Sequence, residues 1–168
     1  MSYSIRELSA SEFPPLLAEI PDAPNKLFCA GTLPNEGNKI LCIVGARKYS
    51  IYGKEATEML IEGLRGYPIT IASGLALGTD SLAHRAALKN KIQTIAIPGS
   101  GLNQNIIYPS SHARLAEEIV TAGGGLLSEF ENDFRATLWS FPQRNRIMAG
   151  MSHAVLVTEA ELKSGTLI

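Results

Sequence analysis

From Lys39 onward the chain alternates short runs of β-branched and aliphatic residues with longer amphipathic segments, and this alternation restricts it to few folds. The runs are KILCIVGA, ITIASG, QTIAIPGS, GLLSEF and HAVLVTEA. Each is close to continuously apolar, as strands covered on both faces are. The gaps between them leave room for helices, with starts expected near Tyr52, Gly78, Ser110 and Phe141. Parallel strands joined by crossover helices define an α/β class, here a Rossmann-like three-layer fold with a mainly parallel sheet. No internal repeat or low-complexity tract competes with this reading.

Residues 1–38 have a different texture. Ser9-Ala10-Ser11-Glu12 has the pattern of a capping box ahead of FPPLLAEI, after which Pro21, Pro24, Pro34 and Gly37 interrupt any regular element. A short helical extension packed on a main domain at 39–168 is expected. A chain of 168 residues, 45% hydrophobic and 18% charged, suits one domain with a full core and leaves no room for a second catalytic one. No apolar run approaches the roughly 18 residues of a membrane span, and the start MSYSIRELSASE is not a secretory apolar region, so a cytoplasmic protein without membrane contact is expected. Cys29 and Cys42 lack C-x-x-C spacing and sit in apolar strand-like runs, which predicts buried, inert thiols and no metal site.

Fifteen Lys plus Arg against sixteen Asp plus Glu give a net charge of −1, which argues against a broad basic surface for gripping duplex DNA. Any anion site must be local. In open parallel sheets, ligands bind beyond the carboxyl ends of the strands, and the unusual residues cluster there. The first run ends in Gly45-Ala46-Arg47-Lys48-Tyr49-Ser50. A dinucleotide fingerprint would place its second glycine where Arg47 stands, so a cation replaces the open pyrophosphate seat and favours an isolated phosphate or a nucleic-acid backbone. Lys48 is a weaker cation candidate, equally suited to a solvated surface.

The second run ends in Ser73-Gly74-Leu75-Ala76-Leu77-Gly78-Thr79-Asp80. Its glycines serve either a tight turn or a second anion seat, with Thr79 or Asp80 capping the helix that carries His84. His84 is read as a core histidine, since no catalytic partner is evident; His112 and His153 show less still. The loop GSGLNQNIIYPSSHARL carries Asn103, Asn105 and Tyr108, suited to hydrogen bonding and stacking with bases or to an ordinary surface loop. Phe134, Arg135 and Trp139 offer base stacking, with Trp139 as core the alternative. Phe141-Pro142-Gln143-Arg144-Asn145-Arg146 then reads as a helix start with two arginines on its first turn, a candidate phosphate clamp.

The motifs GxRxxSxYG, SGLAxGxDxxAH, the Tyr108-Pro109 loop, Ser128-Glu129-Phe130, FPxRNRIxAG and Glu159-Ala160 followed by Ser164-Gly165 together resemble the DNA processing protein A family, also called DprA or Smf. The opening FPPLLAEIPDAPNKLFCAGTLP is similar to that family's entry into its Rossmann-like domain, so the likeness spans roughly residues 12 to 168. It implies a non-enzymatic protein, without cofactor, that binds single-stranded DNA taken up by the cell and presents it to the RecA recombinase in natural transformation. It also implies that Arg47, Arg144 and Arg146 contact DNA phosphate. The resulting candidate set is Gly45, Arg47, Lys48, Ser50, Ser73, Gly74, Gly78, Asn103, Arg135, Arg144, Asn145 and Arg146. The resemblance implies homodimerisation and RecA binding through a later part of the domain, so this stretch is expected to be largely monomeric, or to self-associate weakly through its exposed sheet edge, and in either case to fail at RecA loading. The rival class is a nucleotide enzyme resembling the phosphoribohydrolases, which carry PGGxGTxxE; here Pro98-Gly99-Ser100-Gly101 runs into Leu102-Asn103-Gln104, without the Thr or the Glu.

Overall fold

The computed structural model describes residues 3–161 and Gly165. Ser164, part of the last sequence motif, lies outside the described residues. Seven strands form one sheet in the order β1-β2-β6-β5-β4-β3-β7. The five runs named from sequence are β3 (Lys39–Val44), β4 (Ile69–Ser73), β5 (Thr94–Ala96), β6 (Gly125–Ser128) and β7 (Ala154–Val157). They pair in parallel throughout. The fold is therefore the expected three-layer α/β arrangement with a mostly parallel sheet.

Helices α1 (Ile51–Gly63), α2 (Thr79–Lys89) and α3 (Ala113–Thr121) connect β3 to β6 in sequence. Ile43 and Ile71 of the sheet pack there with Ile61 of α1 and Ala83, Ala86 and Ala87 of α2, while Leu115 and Ile119 of α3 meet Ala96 and Leu126. The opposite face carries α4 (Ser140–Gly150), whose Ile147 and Met148 pack against Cys42, Val44, Ala72 and Ile97. Full burial of one such aliphatic side chain is worth ~1.5–3 kcal/mol. Because α4 carries the chain from β6 back to β7 beside β3, the direction of winding reverses between β3 and β7. That reversal is the switch point of a doubly wound sheet, where a crevice opens at the strand ends.

The N-terminal segment departs from the sequence reading. Its capping box forms, with the Ser9 amide donating to Glu12 at 3.0 Å, but it starts only a 3-10 turn at Ala10–Glu12, and a second spans Pro15–Glu19. That amide and the Arg6 guanidinium lower the Glu12 carboxyl to about 2. The segment also supplies strands β1 (Ile5–Glu7) and β2 (Phe28–Gly31), both antiparallel, and β2 joins the sheet against β6. Pro14 and Pro15, with no N–H to donate, stop the first turn from running on into the second. Cys29 and Cys42 are buried free thiols, in accord with the sequence reading.

Candidate nucleic-acid interface

A cleft of about 620 Å³ opens at the carboxyl ends of β3 and β4, beneath the start of α4. Gly45, Arg47 and Lys48 form one side of it, and Phe141, Arg144 and Asn145 the other. Exposed Leu138 continues the rim. Arg47 is exposed, and its guanidinium carbon lies 5.7 Å from the centroid of the Phe141 ring. Tyr108, half exposed, holds its ring 5.6 Å from the same Phe141 ring. Phe141 is seated against Gly99, where a Cβ would come within 2.6 Å of its ring. A cation over an aromatic face, with a second ring alongside, can engage a phosphate and a base plane together.

The arginines of α4 are committed differently from one another. Pro142 is the third residue of α4, and Arg144 lies in its second turn. Arg144 is only 4% exposed, and its Nη1 donates to the Ile97 carbonyl. The sequence reading expected this side chain to face solvent or ligand; the structure makes it the floor of the cleft. It converges with Asp80 over Gly74, where any Cβ would run into Arg144. Burial pushes the Asp80 carboxyl up, and the Arg144 charge and the Ala76 amide pull it back. Burial likewise pushes the Arg144 guanidinium down against the opposing pull of Asp80. Cys42, lining the same floor, has its thiol pushed up to about 12 by burial, with the Asp80 charge adding to the effect.

Arg146 points away from this cleft. It donates to Asp22 at 2.8 Å and grips Glu129 through both terminal nitrogens, at 2.7 and 3.1 Å. Gln143 donates to the same carboxylate at 3.1 Å. The pairing ties α4 to the end of β6 and to the N-terminal segment, so the two arginines do not form one clamp.

The glycine-rich turn after β4 is not an open anion seat. Gly78 is the N-cap of α2 at φ +84, a region that favours glycine, and a Cβ there would strike the carbonyls of Ala46 and Arg47. The Thr79 amide donates to the Ala46 carbonyl at 3.1 Å, so backbone from the Arg47 loop covers the α2 start. Neither Thr79 nor Asp80 caps the helix, contrary to expectation. Ser73 is buried and donates to the Ile43 carbonyl at 2.6 Å. Leu75, fully buried, is held at φ +61 while its carbonyl bonds His112 Nδ1 at 2.7 Å. His84 is a core residue, with Nδ1 2.7 Å from Thr94 Oγ1, and burial lowers its pKa to about 3.

The remaining candidates fall elsewhere. Ser50 is the N-cap of α1, accepting from the Gly53 amide at 3.1 Å. Asn103 and Arg135 do not line the cleft. The Asn103 amide donates to the Asn132 carbonyl at 3.0 Å, and Arg135 is exposed on the adjoining loop. Trp139 combines both readings, 55% exposed yet edge-on to Phe130 and Phe134. Sequence reasoning missed Asp80 as the counter-charge of Arg144, Phe141 as the platform for Arg47, and Asp22 as a partner of Arg146. Asp22 lies 124 residues from Arg146, and no local spacing could have announced the pair.

Fold and cleft define a class: a Rossmann-like α/β domain with a local cationic and aromatic cleft at the carboxyl edge of its parallel sheet. A family model described as DNA recombination-mediator protein A matches residues 4–168, and the chain belongs to that family. It is 45% identical to Protein Smf of Escherichia coli over 159 residues, covering 94% of this chain and 42% of that protein. It is 40% identical to DNA processing protein DprA of Streptococcus pneumoniae over 152 residues, covering 90% of this chain and 52% of that one. The chain thus spans about half the length of these curated relatives. The solved structure of DNA processing protein A from Streptococcus pneumoniae superposes with a TM-score of 0.87 at 37% identity, over 97% of this chain and 57% of that chain. DNA processing protein A from Helicobacter pylori, described for its single-stranded DNA binding mode, superposes at 0.84 and 32% identity, over 98% and 74%.

Proposed function

We propose that the cleft binds the backbone of single-stranded DNA, and that the protein acts without catalysis or cofactor in handing that strand to the RecA recombinase during natural transformation, in the cytoplasm. The observation that carries the reading is Arg47, exposed above the Phe141 ring at the mouth of the cleft. Arg47 and Lys48 supply the phosphate contacts. Asn145 lies across from them, and Arg144 braces the floor beneath. Phe141 and Tyr108 offer faces on which bases stack. Duplex DNA is disfavoured, because a near-neutral chain with one local cleft offers few contacts to a stiff double-stranded backbone. The Helicobacter pylori relative, described for single-stranded DNA binding, supports the ligand class. RecA presentation and a homodimeric state belong to the proposal for the whole protein, of which this chain spans about half the relatives' length.

The enzyme alternative is weaker. The phosphoribohydrolases that the Pro98-Gly99-Ser100-Gly101 turn resembles carry PGGxGTxxE, whose glutamate acts on the ribose. Here the corresponding turn is filled: Phe141 packs on Gly99, Ser140 donates to the Gly99 carbonyl at 2.6 Å, and Ser128 donates to the Ser100 carbonyl at 2.8 Å.

Fluorescence anisotropy at fixed salt, with one labelled strand presented alone and then annealed to its complement, tests the proposal. Tighter binding of the single strand is expected. Equal affinity for the duplex, or binding of neither, overturns it, and release of adenine from AMP above a heat-killed control promotes the enzyme.

A further inference from the structure

At the switch point between β3 and β7, the α/β architecture would ordinarily leave a crevice in which a nucleotide's phosphates meet a helix start. Here the crevice stays open, but the helix start beside it, that of α1, is taken by the chain's own carboxylate. After β7 the Thr158 amide continues the pairing onto the Val44 carbonyl at 3.2 Å, which brings Glu159 over the end of β3. Glu159 Oε2 then accepts from both the Ser50 amide, at 2.9 Å, and the Ser50 hydroxyl, at 3.0 Å, at the N-terminus of α1. Its main-chain carbonyl accepts from the Ala46 amide at 2.6 Å. One residue therefore holds both ends of the loop that carries Arg47 and Lys48. Two glycines leave it space: a Cβ on Gly53 would collide with the carboxylate, and one on Gly45 would come within 2.9 Å of the Glu159 carbonyl. On its other side the Ala46 carbonyl is bound by Thr79, so Ala46, the residue preceding Arg47, is held through both its N–H and its C=O.

We infer that Glu159 is a positioning residue for the proposed DNA contact: by occupying the start of α1 it denies that seat to a nucleotide phosphate and sets the loop that aims Arg47 at the strand. The inference rests on the single-stranded DNA reading above. A carboxylate beside a phosphate site would by itself only repel DNA. A positioning role predicts the opposite sign, because removing the side chain frees the Arg47 loop to sample conformations that miss the phosphate. The ordering cost then falls on the binding step.

The test is a double-mutant cycle read by anisotropy with labelled oligothymidylate. Glu159→Ala should weaken binding about fivefold, on the scale of one hydrogen bond to an ordered group, and flatten the salt slope by ~0.7 as one phosphate contact is lost. In an Arg47→Ala background the loss should be much smaller, limited to what Lys48 on the same loop contributes. Glu159→Gln keeps an oxygen for the Ser50 amide and should restore most of the affinity. Tighter binding in Glu159→Ala, or the same change in both backgrounds, would make Glu159 mere background charge and overturn the inference. Amide resonances of residues 46–50 give a readout independent of DNA. They should shift in Glu159→Ala, and the Ser50 amide should lose exchange protection, while the core amides do neither; resonances unchanged from wild type would overturn the inference. If wild type binds no DNA, the functional reading fails, and these resonances still decide whether Glu159 sets the loop.

Discussion

The loop after β3 and the start of α4 both carry the arginines that a sequence reader would assign to phosphate, yet the fold treats them in opposite ways. Arg47 is exposed, rests against an aromatic ring, and makes no ion pair among the described residues. Arg144 is buried against the Ile97 carbonyl and near Asp80, and Arg146 is held by two carboxylates. A guanidinium already desolvated and hydrogen-bonded has little left to gain from a phosphate, whereas an exposed one gains a charge-assisted bond and releases counterions. Availability, more than residue type, separates a ligand contact from a brace.

That contrast is sharpest in stability. Arg144→Ala leaves Asp80 buried without its counter-charge and the Ile97 carbonyl without a donor, and should destabilise the fold by ~3–5 kcal/mol. A chemical-denaturation curve measures this, and a variant as stable as wild type that merely loses DNA binding would erase the distinction. The buried side also carries the pH response. Burial first, then the charges of His112 and Arg144, depress His84 to about 3. An unfolded histidine takes its proton near 6.5, so the folded state loses stability as pH falls from about 6.5 toward 3, by at most ~1.4 kcal/mol per unit. Melting curves from pH 7 to 5 should show the decline in wild type and in Arg47→Ala alike, and His84→Gln should remove it.

Arg146→Ala occupies the middle ground. It leaves Glu129, whose side chain is 9% exposed, without its counter-charge and with Gln143 as a remaining donor, and should cost ~1–2 kcal/mol while leaving the salt dependence of DNA binding unchanged. A flattened salt slope in this variant would return Arg146 to the interface. The smallest stability effect belongs to Arg47→Ala, within ~0.5 kcal/mol of wild type as for other exposed sites. Its effect should appear in binding, as weaker association with single-stranded DNA and a slope reduced by ~0.7. A lowered melting temperature with an unchanged slope would make Arg47 a brace as well and dissolve the contrast.

Much of this architecture was legible in advance, because each parallel strand lies in a close to continuously apolar run of the sequence, even where the strand itself is only three or four residues long. Lys39–Val44 and Ile69–Ser73 needed no partner to be read as strands. β2 did need one. Phe28–Gly31 stands among prolines and becomes a strand by pairing with Ile5–Glu7 on one side and with Gly125–Ser128, nearly a hundred positions away, on the other. The cleft shows the same division. Arg47 stood out because a cation in the first strand-to-helix turn is a local anomaly, while Phe141 became its platform through a contact across the sheet's end.

By its own pattern, then, the chain determined a parallel α/β sheet, the strand ends at which its unusual residues gather, and a net charge too small for a broad duplex-binding face. Tertiary structure alone decided which cations stay available there. Asp80, Glu129 and Asp22 reach Arg144 and Arg146, and none reaches Arg47. It also decided that Glu159, from the far end of the chain, would take the start of α1 beside the switch point and anchor the Arg47 loop. The reason is range: strand and helix preferences act over a few neighbouring residues, whereas burial and ion pairing join side chains that only the completed sheet brings together.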